Sequence, residues 1–214
     1  TYTASDSVLT DTAVVSIQLS NANDPPLVNA GAPLTATEGA EAVFAGTYSD
    51  PDGDAASAIH WNFGDETEAF GMLAPSHIYQ DNGVFTATLT ITDPTGASGS
   101  DWLLVTVDNV APAILPVEAP SAIHVGQALV LIIRFTDPGI SDTHEARIDW
   151  AVNAFQTVYI NRGTRQFTVQ YVFTEADEDH PVRVRITDSD QDFAEITLTI
   201  DILPNRVLLP IVQR

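Results

Sequence analysis

Apolar residues in this chain recur at every second position over short runs. In AIHWNF (58–63), Ile59, Trp61 and Phe63 share one face. VFTATLTITD (84–93) sets Phe85, Ala87, Leu89 and Ile91 against Thr86, Thr88, Thr90 and Thr92. DTAVVSIQLS (11–20) puts Val15, Ile17 and Leu19 opposite Val14, Ser16 and Gln18, and AEAVFAGTYSD (40–50) alternates Val43 and Ala45 with Phe44 and Gly46. Period two means half-buried strands. LVNAG and PLTATEG read as short edge strands, SDWLLVTVDN (100–109) as a strand that closes the sheet, and GDETEAFGMLAPS as a connecting loop. Turn chemistry separates the runs: PDGD, Asn82-Gly83, whose residues tolerate positive φ, and Pro94-Thr95-Gly96. The expected fold class is all-β.

The scheme occurs twice. FTDPG (135–139) matches YSDPD (48–52) at an offset of 87, and RITD (185–188) matches TITD (90–93) at an offset of 95. SAIHVGQALVLIIRFTDPGISDTHEARIDW (121–150) parallels the stretch that ends at Trp61. A repeat of this period with strand-and-turn content predicts tandem domains. In the second copy AVNAF follows Trp150 in place of a Gly-Asp turn, and Asn161-Arg162-Gly163 predicts a hairpin between QTVYI and QFTVQYVF. The expected organisation is a terminal hairpin with a Pro linker (1–26), a first sandwich (27–110), a second, divergent one (111–203) and an apolar tail (204–214). Asp24-Pro25-Pro26 stops the preceding strand and extends the linker.

Trp61-Asn62-Phe63-Gly64-Asp65, then His77-Ile78-Tyr79, Gly83 and ATLTITDPTG resemble the W-D-F-G-D, H-x-Y and V-T-L-T-V-T-D-x-x-G motifs of PKD (polycystic kidney disease) domains, with Asn62 in place of Asp. The resemblance spans some 80 residues and implies tandem immunoglobulin-like β-sandwiches. YTASDSVLTDTAVVSIQLSNANDPP resembles the tail of a bacterial cadherin-like repeat and implies a prokaryotic surface protein.

Charge narrows the partners. Eight basic residues, all Arg, face 29 acidic ones, for a net charge of −21. Residues 1–133 carry 16 acids and no Arg or Lys. Such a surface repels nucleic acid and anionic membrane and suits divalent cations. No apolar run reaches the ~18 residues of a membrane span. Cysteine is absent, so neither disulfides nor thiol chemistry arise, and without Lys there are no Lys–Asn isopeptide crosslinks. No N-x-S/T sequon occurs.

DPDGD (50–54) places Asp50, Asp52 and Asp54 in a Gly-containing turn, a fragment of a Ca²⁺ loop. The family resemblance adds Asp24 and Asp108, near the domain junctions, as secondary calcium ligands. The alternative is an acidic, solvated turn. Trp61 and Trp150 are expected in the cores, and Trp102 fits either core or surface. His77 and Tyr79 are expected to fix a strand entry, with the Tyr hydroxyl bonded. There is no GxSxG, HEARID (144–149) lacks the second His of HExxH, and the five His residues have no ligand spacing.

The leading expectation is a non-catalytic, extracellular structural or adhesive spacer whose partners are neighbouring domains or subunits. One alternative is a filament subunit that donates residues 1–25 to a neighbour's sheet. Another is a carbohydrate-binding accessory module with glycan or protein ligands.

Overall fold

The computed structural model describes residues 2–5, 7–8, 10–14 and 22–205. Among these residues there is no helix. β1 (Tyr2–Ser5) and β2 (Thr10–Ala13) form an antiparallel hairpin. The alternation expected at Val15, Ile17 and Leu19, and most of the 204–214 tail, lie outside the described residues.

The first immunoglobulin-like sandwich contains β3 (Leu27–Asn29), β4 (Leu34–Thr37), β5 (Glu41–Val43), β6 (Thr47–Ser49), β7 (Ala58–Asn62), β8 (Glu68–Phe70), β9 (Ser76–Ile78), β10 (Gly83–Thr92) and β11 (Ser98–Asp108). One sheet runs β4-β11-β10-β7-β8, and the short pairs β3-β6 and β5-β9 lie apart from it. The inward faces are those the alternation marks: Ala87, Leu89 and Ile91 of β10, and Leu103, Val105 and Val107 of β11, are buried around Trp61, Phe44, Phe63 and Tyr79. Trp102 points outward and is exposed. Two expectations change. The 40–50 run breaks into β5 and β6, and Gly46 sits where a Cβ would strike Leu89 and Trp61. The 64–76 segment is not all loop, because β8 pairs with β7.

The second sandwich contains β12 (Ala113–Ile114), β13 (Ala122–His124), β14 (Ala128–Thr136), β15 (His144–Asp149), β16 (Phe155–Ile160), β17 (Gln166–Val172), β18 (Asp177–Asp188) and β19 (Phe193–Leu203). Its sheets run β13-β19-β18-β15-β16 and β12-β14-β17. In both copies the last strand pairs in parallel with a strand near the domain's start, β11 with β4 and β19 with β13. Leu129, Leu131, Ile133 and Phe135 from β14 face Val182, Val184 and Ile186 from β18 across a core capped by Trp150.

Asn161-Arg162-Gly163 does not close a hairpin. β16 pairs with β15 while β17 pairs with β14, so this turn carries the chain from one sheet to the other. Both strands present an apolar face to the same core, so their alternation suits either pairing.

Trp150 also stands in a different place from the one its sequence alignment suggests. Trp150 N–H donates to Ala154 O (3.0 Å), as Phe63 N–H does to Thr67 O (3.1 Å). Ala151 N–H donates to Asp149 Oδ1, as Gly64 N–H does to Asn62 Oδ1, each at 2.9 Å. Trp150 is therefore the counterpart of Phe63, and Ile148 that of Trp61. A shift of two residues keeps a side chain on the same face of a strand, so both tryptophans remain core residues.

Candidate functional site at the junction of the sandwiches

Three devices set the loops at the ends of the sandwiches. The first is the aromatic entry. His77 Nε2 meets Asp65 Oδ2 at 2.7 Å and its ring stacks on Phe63 with centroids 4.2 Å apart. Burial alone would raise the Asp65 carboxyl, but hydrogen bonds from Thr67 and His77 outweigh it and hold the group below its ordinary range. The Tyr79 hydroxyl donates to Phe63 O (3.0 Å) and is buried, as the motif implies. Burial, then the Asp65 charge, push its phenol upward. These groups are bonded to one another and serve the strand entry.

The second device ties each sandwich to its lead-in. Asn23 Nδ2 donates to Asp93 Oδ2 (2.7 Å), while Asp93 Oδ1 accepts from Thr95 N–H and Ala97 N–H. Asn109 Nδ2 donates to Asp188 Oδ2 (3.0 Å), and Asp188 Oδ1 accepts from Asp190 N–H and Asp192 N–H. The hydrogen bond from Asn23 leads the causes that lower Asp93 to about 2. A carboxylate depressed on folding adds stability above its unfolded value, 3.8, and loses it as pH falls toward about 2. Asp93→Asn should flatten the acid limb of a melting-temperature profile between those values. An unchanged acid limb would mean that Asp93 does not differ between folded and unfolded chains.

The third device is the acid set. Asp50 Oδ1 accepts from Asp52 N–H (2.8 Å) and Asp54 N–H (3.4 Å), and Asp52 Oδ2 accepts from Asp24 N–H (2.7 Å). The carboxylates of Asp50 and Asp52 thus shape the turn and hold the linker, and the Asp108 side chain is exposed. A different trio comes together. Glu38, Asp137 and Asp142 each offer an oxygen, and these atoms lie within 4.8 Å of one another, the one such carboxylate-rich group among the described residues. Glu38 comes from the β4–β5 turn of the first sandwich. Asp137 and Asp142 come from the β14–β15 loop of the second.

The two sandwiches meet here through short backbone links. Val110 N–H, in the connecting linker, donates to Glu38 Oε1 (2.9 Å), and Ile140 N–H donates to Gln80 O (3.1 Å). Gly39 lies against Pro138, where a Cβ would sit 2.6 Å from the proline ring. By the offset of 87, Gly139 occupies the place of Asp52. In the first copy Asp52 holds the lead-in N–H of Asp24; in the second, Glu38 reaches in from the neighbouring sandwich to hold Val110. Asp137 was legible as the counterpart of Asp50, but Glu38 and Asp142 carried no motif. The offset of 87 and the missing carboxylate at Gly139 were the only signal that another chain segment supplies the acid.

The chain was also compared with known proteins. The family profile described as PKD domain matches residues 23–107. The pre-pro-metalloprotease PrtV of Vibrio cholerae serotype O1 is 30% identical over 166 residues, 76% of this chain and 16% of that protein. The chain thus spans about a sixth of the length of this curated relative. The PKD1 domain of Vibrio anguillarum Epp is 28% identical, with a TM-score of 0.36, over 41% of this chain and 98% of that one. The PKD1 domain of the V. cholerae metalloprotease PrtV is 26% identical, with a TM-score of 0.33, over 40% and 99%. Motif, sandwich and profile coincide over the same residues, and residues 23–107 of this chain are a PKD domain.

Proposed function

We propose that this chain is a non-catalytic, extracellular spacer that holds neighbouring domains of a larger protein at a set distance. The observation that carries this reading is the junction. The segment joining β11 to β12 is only four residues long, 109–112, and it is tied on both sides: Val110 to Glu38 of the first sandwich, Asn109 to Asp188 and Asp192 of the second. A flexible linker leaves its polar groups to water; this one spends them on both partners. The acidic, Lys-free surface disfavours adhesion to nucleic acid and anionic membrane. No helix among the described residues is long and apolar enough to cross a membrane. The relative's name, pre-pro-metalloprotease, supports a place beside a catalytic domain that lies outside these residues. Strand donation by residues 1–25 and glycan binding remain the competing roles.

The absence of cysteine makes the test direct. Ser100→Cys and Thr199→Cys place two exposed labels, one in β11 of the first sandwich and one in β19 of the second. Pulsed electron spin resonance should give one narrow distance distribution. A broad distribution, of the kind a flexible linker produces, would sink the spacer reading. Light scattering on the same sample separates it from a filament, which would show assemblies that vanish when residues 1–25 are removed.

A further inference from the structure

We propose that Glu38, Asp137 and Asp142 form a calcium site that bridges the two sandwiches. An acid cluster alone would not carry this. The decisive observation is that two of its oxygens are buried and unpartnered. Glu38 is 1% exposed and Asp142 2%, and neither Glu38 Oε2 nor Asp142 Oδ2 has a hydrogen-bond partner among the described residues. Both oxygens point to the same spot beside Gly139: a Cβ built there would overlap Asp142 Oδ2 and sit 3.0 Å from Glu38 Oε2. The absence of a side chain at Gly139 is what lets Asp142 Oδ2 come in beside Glu38 Oε2.

The remaining oxygens of the trio are already oriented. Glu38 Oε1 takes the Val110 N–H, and Asp142 Oδ1 takes the Ser189 hydroxyl at 2.6 Å. Asp137 Oδ1 takes the Gly139 N–H and Oδ2 meets His144 Nε2 at 2.8 Å, with both side chains fully buried. Outer partners of this kind aim carboxylates at a metal. Asn109 Oδ1, in the linker, is a further buried oxygen without a partner among the described residues.

Electrostatics agree. Burial first, then the charges of Asp142, Asp137 and Asp81, push Glu38 up to about 6, against the lowering bond from Val110. Burial first, then Asp137, Asp190 and Asp81, raise Asp142, against the Ser189 bond. Among the described residues no Arg side chain is bonded to these carboxylates. The Arg165 guanidinium is spent on backbone carbonyls, reaching Gly139 O at 2.9 Å. The donors are hard oxygens supplied by separate loops, which suits the adaptable geometry of Ca²⁺ more than the strict octahedron of Mg²⁺. Binding stands on its own; its consequence, a stiffened junction, rests on the spacer reading.

The test is calorimetric titration of the chelator-stripped chain with CaCl₂, with thermal unfolding in the same buffers. Wild type should bind calcium at the sub-millimolar to millimolar levels of extracellular modules, on the order of 10⁻⁴–10⁻³ M, and melt higher with it. Glu38→Gln should weaken binding by at least about tenfold, since ligand charge sets affinity. It should also melt above wild type in chelator, because it removes one charge from the crowd. Asp142→Asn should weaken binding likewise, whereas Asp50→Asn should not. Absence of calcium binding, or undiminished binding in Glu38→Gln, overturns the proposal. Loss of binding in Asp50→Asn alone also overturns it and places the ion at the 50–54 turn. Binding is read as heat and spacing as a spin-label distance, so either idea can fail without the other.

Discussion

Trp61→Ala should cost the first sandwich about 3–5 kcal/mol, the range for removing a large buried aromatic. Trp61 is fully buried, its ring 5.0 Å from Phe44 and stacked at 6.4 Å on Phe63. Its edge sits over the backbone of Gly46, where a Cβ would come within 2.9 Å of the indole. Leu89 and the Leu73 carbonyl pack against Gly46 at the same place. Trp61→Phe should cost less than volume alone suggests. The indole Nε1 is buried with no acceptor among the described residues, a burden of about 1–3 kcal/mol that Phe removes. Urea unfolding monitored by hydrogen exchange would read this sandwich by sandwich. Protection should fall in residues 27–110 and hold in β14, β15 and β18. A loss under about 1 kcal/mol for Trp61→Ala would show that the core is not organised on this residue.

Gly64→Ala should destabilise the same sandwich by about 2–4 kcal/mol, the sum of a strained backbone and an overpacked contact. Gly64 has φ +84°, and a Cβ there would lie 2.6 Å from Thr86 O and 3.0 Å from Thr86 N. The obstacle is backbone in the middle of β10, which cannot rotate away as a side chain could. The left-handed conformation is the smaller part of the cost. Its counterpart in the second sandwich, Ala151, adopts φ 56°. The turn geometry therefore accepts alanine where no strand crowds it. Gly53→Ala gives the control: Gly53 has φ +81° with nothing within 4 Å of its added Cβ. It should cost about 1 kcal/mol, the price of the left-handed conformation alone. Equal losses for the two glycines in chemical denaturation would remove Thr86 from the explanation.

Much of this architecture was legible in the sequence because it is local. The alternation in 84–93 names the buried face of β10, and the Trp-Asn-Phe-Gly-Asp run with His77 and Tyr79 names the strand entry that the structure shows, hydroxyl bond included. The repeated Asp-Pro and Thr-Asp turns announced a second copy, and the offset of 87 located it. The same periodicity is blind to partner and to register by two. It could not tell that Gly163 separates strands of different sheets, that Trp150 replaces Phe63 and not Trp61, or that residues 68–70 pair with β7. The acid sites divide in the same way. Asp50, Asp52 and Asp54 are visible because they lie in one turn, and there Asp50 and Asp52 bind backbone. Glu38 meets Val110 from 72 residues away and joins Asp137 and Asp142 only after both sandwiches have formed. Strand faces follow from neighbours along the chain, so the sequence alone determined an all-β tandem of sandwiches. A site assembled from two loops of different sandwiches depends on distances that no local pattern encodes, and only the tertiary structure decided it.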